Sequence, residues 1–161
     1  DKWHFALIHD PEGVSIEKIN PLDSSGKKEN WHSASSTSGY GTPTYKNSQF
    51  LEGDFSNSMI SVHPKLFSPD NDGLDDFISI SYKMELTGFM ANVLVFSDKG
   101  ILVRHLVKNR LLGISGRWNW DGLDEKNRKL QIGNYIIYTE VFNLEGKKKM
   151  FKYVVVVASK D

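Results

Sequence analysis

The chain has 161 residues, no cysteine, and 20 Lys or Arg against 20 Asp or Glu, so its formal net charge is zero. The length suits one domain of about 100 residues plus a smaller unit. The lack of cysteine removes disulfides, zinc thiolates and cysteine nucleophiles, and the balanced charge removes any overall field toward nucleic acid or an anionic membrane. No apolar run reaches the roughly 18 residues that a membrane-spanning helix needs. No signal peptide is visible, and a start at Asp1 rather than Met reads as a piece of a longer chain.

In chain order, residues 3–8 (Trp-His-Phe-Ala-Leu-Ile) and 14–19 (Val-Ser-Ile-Glu-Lys-Ile) are strand-like, and Asp10-Pro11-Glu12-Gly13 between them is a turn. There Pro presets φ and Gly accepts a positive one, so a hairpin is expected. Two strands cannot bury a core alone, so the segment either packs on the second domain or is the end of a larger β domain, the second being favoured. Residues 24–48 turn to Ser, Thr, Gly, Asn and Lys, too polar for a core element, and read as loop or extended wrapping strand. Within them Asn30-Trp31-His32-Ser33-Ala34, followed by Gly41-Thr42-Pro43-Thr44-Tyr45-Lys46-Asn47-Ser48-Gln49, resembles the closing third of lamin-tail-type domains of bacterial surface proteins. A boundary near residue 55 follows, with a partial β domain over 1–55 and a second domain over 56–161.

The second domain reads as seven short strands, near residues 60–62, 77–82, 91–96, 101–106, 116–120, 135–142 and 148–158, separated by turn signals such as Ser97-Asp98-Lys99-Gly100 and Leu144-Glu145-Gly146. Ile78, Ile80 and Tyr82 alternate with Ser79 and Ser81, as one buried face requires. Val154 to Val157 is continuous, which implies a strand covered on both faces or a hidden edge. No helix of ordinary length has a supporting 3.6-residue pattern, so the class is an all-β sandwich.

Four ordered motifs carry a resemblance. They are Phe67-Ser68-Pro69-Asp70-Asn71-Asp72-Gly73, the stretch from Val95 to Leu106, Trp120-Asp121-Gly122-Leu123-Asp124, and Leu130-Gln131-Ile132-Gly133-Asn134-Tyr135. Together they resemble the immunoglobulin-like C-terminal module of the flagellar hook-capping family and of secreted or gliding-associated proteins of the Bacteroidetes. The resemblance implies an immunoglobulin-like antiparallel β-sandwich, and a role in sorting through the type IX secretion system and attachment at the outer surface of a Gram-negative cell.

Asp70, Asp72, Asp75 and Asp76 fall within seven residues. Carboxylates this close repel unless hydrated, paired or bridged by a hard cation, so calcium is one reading. The other is a turn, because Asp bonds local backbone N–H groups and the EF-hand spacing is not met. Trp118 and Trp120 share a strand face, either as core or as an exposed sugar platform. Asp121 and Gly122 read as a turn fixed by the carboxylate, and Trp120 and Tyr135 as core. His4, His9, His32, His63 and His105 lack paired metal spacing, and no GxSxG elbow, P-loop or GxGxxG occurs. Lys147, Lys148, Lys149 and Lys152 form the basic cluster, read as a solvated strand end that discourages edge pairing.

The expectation is a non-catalytic module that docks a protein partner at the cell surface or in the secretion machinery, without nucleic acid and without a membrane span. Two alternatives are open: a carbohydrate-binding module stacking glycan on Trp31, Tyr40, Tyr45 or Trp118, and a structural subunit of an outer-membrane surface complex marked by a large apolar patch.

Overall fold

A computed structural model describes residues 3, 4, 8, 10–19, 24–34, 38–43 and 59–159. The chain forms two compact units, residues 1–54 together with 70–76, and residues 55–69 together with 77–161.

In the first unit, strand β1 (Ile16–Lys18) pairs antiparallel with β2 (Trp31–Ser33), Ile16 opposite Ser33 and Lys18 opposite Trp31. The partner of residues 16–18 is thus the Trp-His-Ser stretch, which the sequence reads only as loop or wrapping strand. Of the expected first strand, residues 5–7 lie outside those described. The Asp10–Gly13 turn is present, with the Val14 N–H donating to the Pro11 carbonyl at 3.1 Å. Ile19, Ser33 and Ala34 are fully buried. Residues 70–76 belong to this unit, where the Asn71 side-chain amide donates to the Ala34 carbonyl at 3.2 Å.

The second unit is an all-β sandwich. Its strands are β3 (Ile60–His63), β4 (Leu66–Phe67), β5 (Ile78–Lys83), β6 (Phe89–Ser97), β7 (Leu102–Leu111), β8 (Ser115–Trp120), β9 (Gly133–Asn143) and β10 (Lys148–Val157). One sheet has the order β3-β5-β8 and the other β4-β10-β9-β6-β7. All pairings are antiparallel except β4 with β10. The chain passes from the small sheet to the large one just after the cis His63–Pro64 peptide.

Period-2 alternation sorts the side chains. Ala91, Val93 and Val95 of β6 and Tyr135, Ile137 and Val141 of β9 face inward and are buried with Ile78, Ile80 and Trp120 of the small sheet. Each fully buried Val or Ile among these contributes about 1.5–3 kcal/mol relative to an exposed one. The seven expected strands are all present. β4 is too short for a periodic signal, and β7 runs on to Leu111 because its polar end, Lys108 to Arg110, forms an exposed edge. Val154 departs from expectation. It is 58% exposed, so among the described residues the outer face of β10 is not covered.

Candidate functional site

The acidic loop is organised by its own backbone. The Asp76 carboxylate accepts the N–H groups of Asp72 (3.1 Å) and Gly73 (2.8 Å), Asp70 also accepts the Asp72 N–H (3.1 Å), and Asp72 accepts that of Leu74 (2.8 Å). These local bonds are those that make Asp a turn residue. Asp70, Asp72 and Asp76 each bring a carboxylate oxygen within 4.8 Å of the others. Oxygens ligating one calcium at about 2.4 Å can be no farther apart than about 4.8 Å, so these three could hold a hard cation. Asp75, in left-handed backbone at φ 52°, is not in the group.

Trp118 and Trp120 are both buried, at 3% and 0% exposure, which removes Trp118 as a glycan platform. Trp118 stacks on Tyr82 with ring centroids 4.7 Å apart, and Trp120 packs between Phe67 (5.5 Å) and Tyr135 (5.6 Å). The Asp121 carboxylate accepts the Leu123 N–H and an Arg104 Nη1 bond, each at 3.2 Å, so it fixes the turn. The other glycan candidates with described positions, Trp31 and Tyr40, line an open cavity of about 760 Å³ in the first unit, beside Glu17 and Thr42. Tyr45 lies outside the described residues. His4 meets the Ser33 hydroxyl at 3.2 Å, and no histidine joins a metal-ligating group among the described residues.

The outer face of the large sheet carries a surface that strand counting did not reveal. The register sets Val154, Ile136, Phe96 and Leu102 side by side across four strands, and Lys152, Tyr138, Leu94 and His105 in the adjacent row. Val154 and Met150 are 58% and 61% exposed and Leu102 is 41% exposed. The Phe96 and Tyr138 rings meet edge-on at 6.4 Å, and the Lys152 ammonium lies 6.0 Å over Tyr138. The missed signal was in β6: Phe89-Met90-Ala91 and Val93-Leu94-Val95-Phe96 are apolar on both parities, where a solvated face would alternate with polar residues.

Beside these rows the Glu140 carboxylate takes an ion pair from Lys148 and an Asn92 amide bond at 3.2 Å, which together lower its pKa, while the same pairing raises that of Lys148. At the end of the sandwich where β10 begins, a cavity of about 340 Å³ is lined by Met59, Met84, Phe89 and Val141 together with Glu85 and Lys147 to Lys149.

No protein-family model matches the sequence. No curated protein matches it either. Similar solved structures include CopC from Methylosinus trichosporium OB3b, at TM-score 0.38 and 16% identity over 53% of this chain and 78% of that one. Another is PorZ, described as an essential bacterial surface component of the type-IX secretion system of Porphyromonas gingivalis, at TM-score 0.38 and 18% identity over 66% of this chain. The match spans only 13% of PorZ. Both are partial likenesses between β-rich chains, and neither assigns a family.

Proposed function

We propose that the second unit is a non-catalytic docking module of a bacterial surface protein, binding a protein partner through the outer face of its large sheet. The observation that carries this reading is the apolar row Val154–Ile136–Phe96–Leu102, continuous across four strands and partly open to water. Contiguous apolar surface of this kind, rimmed by polar groups, costs solubility and is retained where it meets a partner. The order of the four sequence motifs supports the cell-surface, type IX-related setting. The absence of any catalytic motif in the sequence supports a binding role over an enzymatic one.

The test is site-specific photo-crosslinking in cells that make the protein. A benzophenone side chain at position 150 or 154 is expected to yield one discrete surface-exposed adduct, which Phe96→Asp removes, while the same probe at the exposed Ile114, in the bend before β8, yields none. Equal adducts from all three positions would sink the reading.

The cavity lined by Trp31 and Tyr40 favours a second reading, in which the first unit binds carbohydrate by stacking a sugar on these rings. Titration with soluble bacterial oligosaccharides should quench Trp31 fluorescence in that case; a flat titration that Tyr40→Ala leaves unchanged would remove it.

A further inference from the structure

The open edge of β10 and the cavity at its start adjoin, since Lys148 and Lys149 belong to both. Val156 and Ala158 donate their N–H groups toward β4's side, to the carbonyls of Lys65 (2.7 Å) and Phe67 (2.8 Å). Backbone direction alternates along a strand, so the N–H and C=O groups of Met150, Lys152 and Val154 point to the same side. β4 pairs only with Val156 and Val157, and among the described residues no strand lies beside residues 148–155. An eight-residue free edge of this kind is a template for another strand.

Lys149 sits opposite the buried Val141 in the ladder, which puts it on the core-facing side of β10. Its neighbours Lys147 and Lys148 are paired with Glu145 (3.3 Å) and Glu140, whereas Lys149 makes no ion pair among the described residues, not even with Glu85 in the same cavity wall. An exposed lysine in the wall of a methionine-lined cavity of about 340 Å³ suits an occupant that brings an apolar group and a carboxylate together.

We propose that β10 captures an extended, acidic and apolar peptide segment of a partner as an added strand, with one large apolar side chain seated between Met59, Met84 and Phe89 and a carboxylate on Lys149. This rests on the docking reading above and names its partner's chemistry. Main-chain bonds to the edge would supply affinity, and the cavity would supply specificity. A second copy of this chain fits poorly, because β10 carries Lys148, Lys149 and Lys152 and no acid, and two such edges would bring like charges together.

The experiment is selection of a random dodecapeptide display library on the 161-residue chain, followed by amide exchange of the complex. Selected peptides should alternate apolar and polar residues with Asp or Glu near a Phe, Leu or Trp, and slow exchange at Met150, Lys152 and Val154 by tenfold or more. Met150→Pro removes one outward N–H without touching the ladder to β9, a change that edge strands tolerate, and should weaken binding at least tenfold with little change in the thermal midpoint. Lys152→Pro serves if that variant does not fold, and Lys149→Glu should weaken the acidic peptides by at least tenfold. Protection at Leu94 and Phe96 instead, with affinity intact in Met150→Pro, would overturn the edge proposal while leaving the docking face standing; so would a dimer of the chain held through β10. Failure of the in-cell crosslinks at positions 150 and 154 would count against the docking reading itself. Peptides enriched no more on the native chain than on Met150→Pro would overturn the edge proposal alone.

Discussion

The two ends of the sandwich are closed by different means. At one end Phe67, Trp120 and Tyr135 pack ring against ring, and the polar atoms of both amphipathic rings have assigned partners: the Trp120 indole donates to the Leu123 carbonyl at 3.0 Å and the Tyr135 hydroxyl to that of Gln131 at 2.9 Å. The second bond, from a tyrosine near the start of its strand back to a carbonyl four residues upstream, is the tyrosine-corner device of Greek-key sandwiches. At the other end Met59, Met84 and Phe89 leave about 340 Å³ unfilled. Rigid rings with directed bonds specify one packing, whereas unbranched thioethers adapt to what enters. One end is filled by rings with directed bonds, and the other leaves room between flexible side chains.

Truncation should separate the ends most sharply. Trp120→Ala, at a site with no exposure, is expected to cost about 3–5 kcal/mol in denaturant unfolding, whereas Met84→Ala, whose site already borders a void, should fall near the lower end of the 2–5 kcal/mol typical of such changes. Equal losses would mean that the open end is as tightly packed as the aromatic one, and the contrast would collapse.

Two glycines sharpen the same comparison. Gly122, at φ 72°, turns the chain after Trp120, and a β-carbon there would lie 2.9 Å from the Pro69 ring; Gly88, at φ 86° near the open end, has nothing within 4 Å. Gly88→Ala therefore costs only the left-handed backbone, about 1–2 kcal/mol. Gly122→Ala adds a steric clash and should lose at least about 1 kcal/mol more by the same unfolding measurement.

The sequence made the closed end readable and left the open end hidden, for a physical reason. Trp120, Tyr135 and the Asp121-Gly122 turn act through local signals, namely period-2 parity, ring size and a residue that accepts positive φ. The alternation of Ile78, Ile80 and Tyr82 marked the strand that Trp118 and Trp120 face in the ladder. The apolar outer row depends instead on which strands become neighbours, and nothing local announces that Val154 will share a row with Ile136 and Phe96. The run Val154 to Val157 carried the hint, but a strand apolar on both sides looks the same whether its outer face is covered or waiting to be. The acidic loop lies between these cases. Its composition pointed to convergence, but only backbone dihedrals decide that Asp76 meets Asp70 and Asp72 while Asp75 turns aside.

Titration offers the finest contrast, between one carboxylate fixed by backbone and one held by a flexible partner. Asp124, in the loop after Trp120, accepts the backbone N–H groups of Arg128 (2.9 Å) and Lys126 (2.8 Å) and the Arg128 guanidinium (2.8 Å), and the Arg128 N–H is the largest cause of its pKa lying below the ordinary 3.8. Glu140, toward the open end, lies below 4.5 chiefly through Lys148. A carboxylate whose folded pKa is depressed contributes stability that is present above its unfolded pKa and lost as pH falls through the folded value. Asp124→Asn and Glu140→Gln should therefore both lower the thermal midpoint at pH 7, and both differences should shrink as pH drops below about 4 and vanish once the native carboxylates are protonated. Salt distinguishes the two. The partly exposed Lys148–Glu140 pair is screened, so the Glu140→Gln difference should fade on going from low salt to about 1 M, while the bonds from Asp124 to backbone N–H groups persist. A midpoint loss in Asp124→Asn that stays constant down to pH 2 would show that the shape of the side chain, rather than its charge, holds the loop below the aromatic end.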